Sequence, residues 1–347
     1  MTEYLDRFKS KGIMGLNERN VSLVNALNAR HHMKLVDDKA LTKLLAAEAG
    51  IPTPKLYGIA SSTRECRKIA SYIDPVHGAA IKPACGTQGK GIMIVNGRVD
   101  ERNWCVGHGR TRSDDDLMYH AINLTSGMYS LAGRPDSVLV EERIVFDDVF
   151  SNVTYKGVPD IRIIVLKGIP IAAMLRLPTS KSDGKANLHQ GGVGAGVDLI
   201  TGRTMSAMLH SKTVSHHPDT NASLVGLEVP HWSDILDIAS RAYDATRLGY
   251  LGVDIVLDRN QGPLLLELNA RPGLSIQIAM GRGLRQLVQP VMEMETAQMT
   301  VADRIETCYE LAARPAPVIP VKTRPTKEPK PILPWATARK PGLLPTG

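Results

Sequence analysis

The sequence predicts an α+β protein whose strands pair as antiparallel hairpins and whose helices are amphipathic. Two pairs of apolar, β-prone runs each flank a short polar turn and indicate the hairpins: residues 160–166 with 169–177, and residues 253–257 with 264–268. Apolar side chains recur every three to four residues in 38–49 and 233–248, which indicates helices. With 347 residues and 43% hydrophobic composition, the chain can bury one large core or two to three smaller ones.

The composition also excludes several classes of protein. No run approaches the roughly 20 uninterrupted apolar residues that a membrane span needs, and the first thirty residues lack the apolar core of a signal peptide. The four cysteines form no C-x-x-C pair: Cys66, Cys85, Cys105 and Cys308. We therefore expect free thiols, no membrane span and a location in the cytoplasm.

The formal net charge of +7 is concentrated at the end of the chain. Residues 314–347 hold seven Lys and Arg against Glu328, so the rest of the chain is close to neutral. Because a nucleic-acid binder carries its basic residues on the folded body, we expect no nucleic-acid partner, and such a binder is only the third alternative. The nine prolines of this tail predict a disordered, partly polyproline-II extension.

The front of the chain carries one clear helix. Residues 1–36 form a short segment whose fold the pattern leaves open, and Asp38 then caps a helix predicted over residues 38–49, which Gly50 ends. Lys39 lies in the first turn of that helix, where the helix dipole disfavours a cation. It is therefore either a functional residue or a solvated lysine.

A glycine-rich loop follows the strand that ends near Lys82 and leads into another strand. Gly86, Gly89 and Gly91 let its backbone N–H groups approach a phosphate. A Rossmann or Walker A loop opens a helix, whereas this loop runs into the mostly β-branched residues 92–95. The pattern favours a hairpin lid over a nucleotide, with a simple flexible turn as the alternative.

The next segment combines a polar insertion with a buried strand. Residues 97–137 form the insertion, with one helix that Ser113 caps and Asp116 closes as a capping box, and the sequence assigns it no function. A strand predicted over residues 138–144 follows and ends in carboxylates.

Arg162 and Arg176 lie in the apolar hairpin 160–177, where an unpaired charge is costly. Each arginine either binds a phosphate or forms an ion pair. The carboxylates available for such a pair are Asp160, Glu141 and Glu142.

The segments after this hairpin are less informative. The polar loop 185–192 contains His189, which is either a ligand or a surface histidine. The histidines of residues 202–231 match no zinc spacing. One or two helices are expected between Pro272-Gly273 and about residue 313.

The second hairpin carries acidic groups that an apolar strand does not need. Asp254 and Glu267 lie on its neighbouring strands, and Asn269 follows two residues later, so the three can point to one face. Oxygen donors without His or Cys suit Mg²⁺, which keeps waters and is completed by substrate phosphates. The alternative is that the carboxylates pair with Arg259 or Arg271.

Taken in order, these motifs resemble the ATP-grasp superfamily, and most closely the RimK-type α-L-glutamate ligases and α-L-glutamate ligase-like proteins. The phrases that carry the likeness are spread over about residues 36–280: IKPACGTQGKG, DIRIIV, KANLHQGG, YLGVDIV and LLLELNARPGL. Each phrase alone is weak evidence for this superfamily, but the five phrases in this order are specific to it. The resemblance implies an ATP-grasp fold in which two α/β subdomains sandwich a nucleotide, here with a shortened N-terminal region.

The resemblance also implies roles for individual residues. The residues that would bind ATP are Lys39, Lys82, Gly86, Gly89, Gly91, Glu141, Glu142, Ile144, Asp160, Lys185 and Asn187. The residues that would hold one or two Mg²⁺ ions, or Mn²⁺, are Asp254, Glu267 and Asn269. Arg176 and Arg162 would be catalytic and stabilise the transferring phosphoryl group, while His189 and Arg271 would contact the substrate.

The implied reaction is ATP-dependent formation of an amide or peptide bond. A substrate carboxylate attacks the γ-phosphate to give an acyl phosphate, and an amine then displaces the phosphate, while the protein neutralises charge and positions the groups. The implied partners are ATP, a carboxylate substrate such as glutamate or another amino acid, and an amine acceptor that is a small molecule or a peptide. No side-chain nucleophile is needed, so Cys85 in the loop is incidental.

The expected domain organisation follows the resemblance. It comprises a segment 1–36, an ATP-grasp domain 37–313 with a lid subdomain at about 75–145 and a metal-binding subdomain at about 146–313, and the tail 314–347. Three features depart from the RimK pattern: the short front end, the long insertion 97–137, and Arg271 at a position that is small and polar in the glutamate ligases. An ATP-grasp phosphotransferase and a non-catalytic nucleotide-binding regulatory module are the alternatives.

Overall fold

A computed structural model of the chain describes residues 11–86, 89–107, 109–130, 133–210 and 212–314. The strands in these ranges are β1 (Leu56–Ala60), β2 (Ala79–Pro83), β3 (Met93–Arg98), β4 (Asn103–Val106), β5 (Arg110–Ser113), β6 (Val138–Glu141), β7 (Asp160–Leu166), β8 (Ile169–Leu177), β9 (Val193–Val197), β10 (Thr204–Leu209), β11 (Lys212–Val214), β12 (Tyr250–Asp258) and β13 (Gly262–Asn269). The α-helices are α1 (Leu16–Arg19), α2 (Arg30–Asp37), α3 (Lys39–Glu48), α4 (Thr63–Cys66), α5 (Asp114–Thr125), α6 (Trp232–Thr246), α7 (Ser275–Ala279), α8 (Leu284–Met292) and α9 (Val301–Ala313).

The first lobe is built on a sheet with the strand order β1-β6-β2-β3-β4-β5, in which all neighbouring strands are antiparallel. Helix α5 packs Leu117, Ala121 and Leu124 into the core of this lobe, together with the buried Trp104 of β4. The expectation that residues 97–137 contribute a helix alone was therefore wrong. The strands β4 and β5 were not predicted, because their exposed positions carry polar side chains.

The second lobe is built on a sheet with the order β11-β10-β9-β8-β7-β12-β13, again antiparallel throughout. Helices α6 to α9 pack against it. In β7, β8 and β12, every side chain is buried except those of Arg162 and Arg176, which are partly exposed. Because strands covered on both faces are uniformly apolar, charged side chains within them require partners.

The N-terminal segment, whose fold the sequence left open, belongs to the second lobe. The Asn28 amide donates to the carbonyl oxygens of Tyr250, at 2.8 Å, and Ala270, at 2.9 Å. Its side-chain oxygen accepts from the backbone N–H of Tyr250 at 2.9 Å. One side chain thereby ties the segment to the start of β12 and to the chain just after β13.

The predicted α+β class and its main elements are confirmed. The two hairpins are β7–β8 and β12–β13, and the helices predicted over 38–49 and 233–248 are α3 and α6. Three helices rather than one or two follow residue 273 in the described residues. The tail beyond Arg314 lies outside them. Within the described ranges, no helix combines the length and apolar content that a membrane span needs.

Candidate active site

Four charged side chains form a buried arginine–aspartate cluster on β7, β8 and β12. The strand register places Arg162 opposite Asp254 and Arg176 opposite Asp160. The Arg162 guanidinium donates from Nε to Oδ1 of Asp254 at 2.6 Å and from Nη2 to Oδ2 at 2.5 Å. Arg176 donates from Nη2 to both carboxylates, at 2.8 Å to Asp254 and 2.7 Å to Asp160. The cluster is neutral as a whole.

The pKa values of the two aspartates shift in opposite directions. Burial raises the pKa of Asp160 to about 6, although Arg176 favours the ionised form. Burial acts in the same sense on Asp254, but contacts from two arginines outweigh it and hold the pKa of Asp254 below its ordinary value. Asp254 is therefore the carboxylate of the cluster that stays charged.

The hairpin of β12 and β13 brings together the three predicted metal ligands. Asp254 lies directly opposite Glu267, and the Asn269 amide nitrogen is 3.5 Å from Oδ2 of Asp254. Glu267 is partly exposed, and its side chain forms no hydrogen bond or ion pair with the rest of the described chain. The alternative partners are engaged elsewhere, because Arg259 pairs with Asp148 and Arg271 pairs with Asp37.

The donor chemistry of this hairpin fits a hard cation. Oδ2 of Asp254 accepts from both arginines, whereas Oδ1 accepts only from Arg162 and keeps a lone pair. Glu267 has both oxygens available, and Asn269 adds an amide oxygen. Among the described residues, no three His, Cys, Asp or Glu side chains converge as a metal site. Such a set suits Mg²⁺, which proteins bind through one or two carboxylates with phosphates and waters completing the shell.

A second charged group, here called the lysine–glutamate cluster, lies in the first lobe where α3 meets β2 and β6. Glu141 is 2% exposed and forms ion pairs with Lys82 and with Lys43, whose Nζ is 2.8 Å from Oε2. Lys43 also donates to the carbonyl oxygen of Pro54 at 2.5 Å. Burial opposes ionisation of Glu141, but the two lysines outweigh it and lower its pKa, whereas burial lowers the pKa of Lys43. The cluster has one positive charge in excess.

Lys39 connects the helix to the glycine loop. Its backbone N–H donates to the carbonyl oxygen of Ala84 at 3.0 Å, and its Nζ donates to that of Gly86 at 2.8 Å. Asp38 caps the same helix end by accepting from the N–H of Ala40 at 2.8 Å. Lys39 is therefore directed towards the loop by the position of its helix.

A pocket lies between the two lobes. It is lined by two members of the lysine–glutamate cluster, Lys43 and Lys82, and by Glu267, which neighbours the arginine–aspartate cluster. The residues that line it are Lys39, Thr42, Lys43, Thr53, Lys82, Leu265, Leu266, Glu267 and Leu268. Three lysines and one carboxylate thus line the same pocket. Since Glu267 lies opposite Asp254 in the register, the pocket borders on the arginine–aspartate cluster. An anionic ligand that carries a divalent cation matches this distribution of charge.

Other predicted site residues lie at the edges of this arrangement. Glu142 accepts from the N–H of Lys55 at 3.3 Å, and Ile144 is partly exposed just after it. Lys185 and His189 are exposed, and the Asn187 side chain accepts from the N–H of His189 at 3.0 Å. Within the described part of the chain, no hydrogen bond or ion pair joins this loop to either cluster.

Sequence reasoning missed Lys43. The signal was present, because Lys43 follows Lys39 by four residues and therefore lies on the same face of α3. The apolar periodicity of that helix predicted that its leucines face inward. In the structure, Leu41 and Leu44 are exposed and Lys43 is buried. A lysine on the inward face of a helix is costly unless paired, and Glu141 provides the pair.

A family model and several known proteins resemble most of this chain in sequence. A family model described as "Sugar-transfer associated ATP-grasp" matches residues 18–293. A "Probable alpha-L-glutamate ligase" of Maridesulfovibrio salexigens is 27% identical over 239 residues, which are 68% of this chain and 56% of that protein. A "Probable alpha-L-glutamate ligase 1" of Hahella chejuensis is 25% identical over 304 residues, which are 87% of this chain and 74% of that protein.

Among solved structures, D-cycloserine synthetase DcsG matches 75% of this chain and 70% of its own, with 11% identity and a TM-score of 0.43. The chain spans just over half the length of the relative from Maridesulfovibrio.

Proposed function

Because the chain belongs to the sugar-transfer associated ATP-grasp family, we propose that it is an ATP-dependent ligase that joins a carboxylate to an amine. The resemblance to the ATP-grasp superfamily that the motifs suggested is confirmed by this membership. The observation that carries the proposal is the pocket between the lobes, which Lys39, Lys43 and Lys82 line together with Glu267. That arrangement provides cations for phosphate oxygens and a carboxylate for a divalent cation.

In this proposal the nucleotide lies between the two lobes. Lys39 and Lys82 contact its phosphates, and Gly86, Gly89 and Gly91 provide a backbone close to them. Glu142 and Ile144 lie where β6 leaves the first lobe and contact the ribose and the base. Glu141 holds Lys82 in place through their ion pair, while Asp160, Lys185 and Asn187 border the nucleotide from the second lobe.

Asp254, Glu267 and Asn269 hold one or two Mg²⁺ ions, and Mn²⁺ satisfies the same oxygen donors. When bound, the ion neutralises the phosphate charge that develops during transfer. Support comes from the open lone pairs of Glu267 and from Oδ1 of Asp254, which accepts a single hydrogen bond. Asp254 stays ionised because two arginines lower its pKa.

The reaction proceeds in two steps. A carboxylate oxygen of the acid attacks the γ-phosphorus and ADP leaves, which gives an acyl phosphate. The amine nitrogen then attacks the acyl carbon, phosphate leaves and the nitrogen loses a proton. Arg176 and Arg162 place positive charge beside the transferring phosphoryl group, which lowers the barrier electrostatically. Burial raises the pKa of the Cys85 thiol to about 11, so this cysteine is no nucleophile near neutral pH.

The relatives' names and two exposed side chains suggest the acid and the amine. The names of the relatives make glutamate the first candidate for the acid. Arg271 and His189 are exposed and could contact a substrate carboxylate. Since the family description mentions sugar transfer, amino sugars belong among the amines to be tested. A phosphotransferase remains the second candidate, because the same charges would serve transfer to a hydroxyl group.

The test is Mg²⁺-dependent ADP release by the purified protein with panels of amino acids, amines and amino sugars, with Asp254→Asn as the inactive control. An acid labelled with ¹⁸O in its carboxylate should deliver one ¹⁸O atom to the released phosphate. ADP release with a hydroxyl substrate alone would instead identify a phosphotransferase. Tight nucleotide binding without turnover on any substrate would identify a regulatory module.

A further inference from the structure

The glycine loop is fixed at both ends by residues of the segment 97–137, to which the sequence assigned no function. At the first end, the backbone of Gly86 pairs with that of Ser130 as an isolated antiparallel bridge. The N–H of Ala84 donates to the carbonyl oxygen of Ser137 at 2.8 Å. The loop therefore leaves β2 against the chain that follows α5.

Asp136 forms the centre of this contact. Its carboxylate accepts from the N–H of Cys85, at 3.1 Å to Oδ1 and 3.0 Å to Oδ2, and from the N–H of Ser137 at 2.7 Å. The Ser130 hydroxyl donates to it as well. Asp136 is 8% exposed and forms no ion pair within the described residues. A buried carboxylate without a cation is costly, and here only backbone and hydroxyl donors at the loop offset that cost.

The other end of the loop is held by α5. Nε2 of His120 donates to the carbonyl oxygen of Gly91 at 3.0 Å. Burial lowers the pKa of His120, so the ring is neutral at pH 7 and carries its proton on the nitrogen that faces the carbonyl. Leu124 and Tyr129 also lie so close to Gly91 that a Cβ there would approach them to 2.8 and 2.9 Å.

We propose that Asp136 and His120 are positioning residues for the nucleotide site, which fix the two ends of the glycine loop so that the backbone N–H groups of Gly86, Gly89 and Gly91 face the phosphates. This inference rests on the proposed function, because it assigns the loop to ATP. It gives residues 97–137 a role: α5 and the chain after it are the support on which the loop is built. Neither residue touches the nucleotide in this proposal, so both act through the loop.

The test measures nucleotide affinity and stability together. Asp136→Asn keeps the side-chain size but places an amide group against the donors of Cys85 and Ser130. We expect roughly ten-fold weaker binding of an unhydrolysable ATP analogue with Mg²⁺ in calorimetry, since a hydrogen bond to a charged group is lost. In turnover assays, the KM for ATP should rise by a similar factor while the KM for the acid stays unchanged.

Asp116→Asn is the matched control. Asp116 closes the capping box of α5, and its side-chain hydrogen bonds are with Ser113 rather than with the glycine loop, so this variant should lower the Tm and leave the nucleotide affinity unchanged. A second pair covers the case in which Asp136→Asn fails to fold. His120→Leu removes the hydrogen-bond donor to the Gly91 carbonyl oxygen and should weaken nucleotide binding. His120→Gln places an amide N–H at a similar distance from the backbone and should retain the affinity of the unmodified protein.

The outcomes separate the inference from the proposed function. Equal nucleotide affinity in the unmodified protein, Asp136→Asn and His120→Leu overturns the positioning role and leaves the ligase proposal intact. Equal losses of affinity in Asp116→Asn and Asp136→Asn also overturn it, because they indicate destabilisation alone. If the unmodified protein binds no Mg²⁺–nucleotide at all, the proposed function fails, and the inference that rests on it fails with it.

Discussion

Arg162 and Asp254 lie opposite each other on neighbouring strands and are joined by two hydrogen bonds of 2.6 and 2.5 Å. The Arg162 guanidinium is hydrogen-bonded to both oxygens of the carboxylate that we propose as a metal ligand. Together with Arg176, it provides the positive charge that a buried Asp254 requires. A bound cation and the two arginines would therefore share one carboxylate, and the arginines would gain freedom to contact other anions when the ion is present.

Replacing Arg162 with Gln should make stability depend on metal ions. The variant leaves Asp254 with one arginine, which should lower the free energy of unfolding by about 3–5 kcal/mol. Because a cation can take over the lost charge compensation, Mn²⁺ should raise the Tm of Arg162→Gln by more than that of the unmodified protein. Thermal unfolding with and without Mn²⁺ measures this difference.

Arg259→Gln provides the control for that experiment. It removes the same charge, but Arg259 pairs with Asp148 at the surface, where ion pairs contribute little. Equal effects of Mn²⁺ on the two variants would contradict competition at Asp254.

Two conservative changes at the hairpin should separate binding of the metal from stability. Glu267→Gln removes a carboxylate that has no partner in the described chain, so we expect loss of ATP turnover with the free energy of unfolding within about 0.5 kcal/mol of the unmodified value. Asp254→Asn should also abolish turnover, but it leaves two partly buried arginines with one carboxylate between them and should cost about 3–5 kcal/mol. Urea denaturation and ADP release measure the two effects. Unchanged turnover in Glu267→Gln would refute the metal assignment.

Lys43 and Glu141 should be strongly coupled in stability. Lys43→Met leaves the buried Glu141 with Lys82 alone, and Glu141→Gln leaves two buried lysines without a carboxylate. Each single change should destabilise the protein by a few kcal/mol, about 3–5 for a broken buried pair. The double variant should be more stable than the sum of the single effects, with a coupling energy of about 1–3 kcal/mol. Additive effects in a double-mutant cycle would show that the ion pair contributes nothing specific.

The parts of the fold that could be predicted are those encoded locally. The turn between the strands and the alternation of side chains placed Asp254 opposite Glu267, and the cap at Asp38 placed the start of α3. By contrast, the pairing of Arg162 with Asp254 depends on β7 lying next to β12, about ninety residues away in the chain, and no local pattern encodes that neighbour. Tertiary strand order decided which carboxylate each arginine meets.

The lysine–glutamate cluster could not be predicted for the same reason. Lys43, Lys82 and Glu141 come from three elements that are separated by long stretches of chain. The sequence placed Lys82 and Glu141 near the ends of two predicted strands, but it contains no measure of the distance between them. The support of the glycine loop by Asp136 and His120 was hidden in a segment whose polarity resembled that of a solvent-exposed insertion.

Substitutions at two glycines of the loop should distinguish backbone strain from packing. Gly89 and Gly91 both have positive φ, of +68° and +77°, so alanine at either position should cost about 1–2 kcal/mol for the left-handed conformation. The two differ in their surroundings. Among the described residues, a Cβ at Gly89 would meet only Ile92, at 4.0 Å, whereas a Cβ at Gly91 would press on Leu124 and Tyr129.

Gly91→Ala should therefore destabilise the protein by a further 1–3 kcal/mol, roughly, relative to Gly89→Ala, because Leu124 is fully buried and has little room to move. The same displacement would break the hydrogen bond from His120 to the carbonyl oxygen of residue 91, so nucleotide affinity should fall more in Gly91→Ala than in Gly89→Ala. Chemical denaturation and calorimetry of the two variants measure both quantities. Equal stability would mean that α5 yields readily to the loop, and a rigid support for the nucleotide site would then have no physical basis.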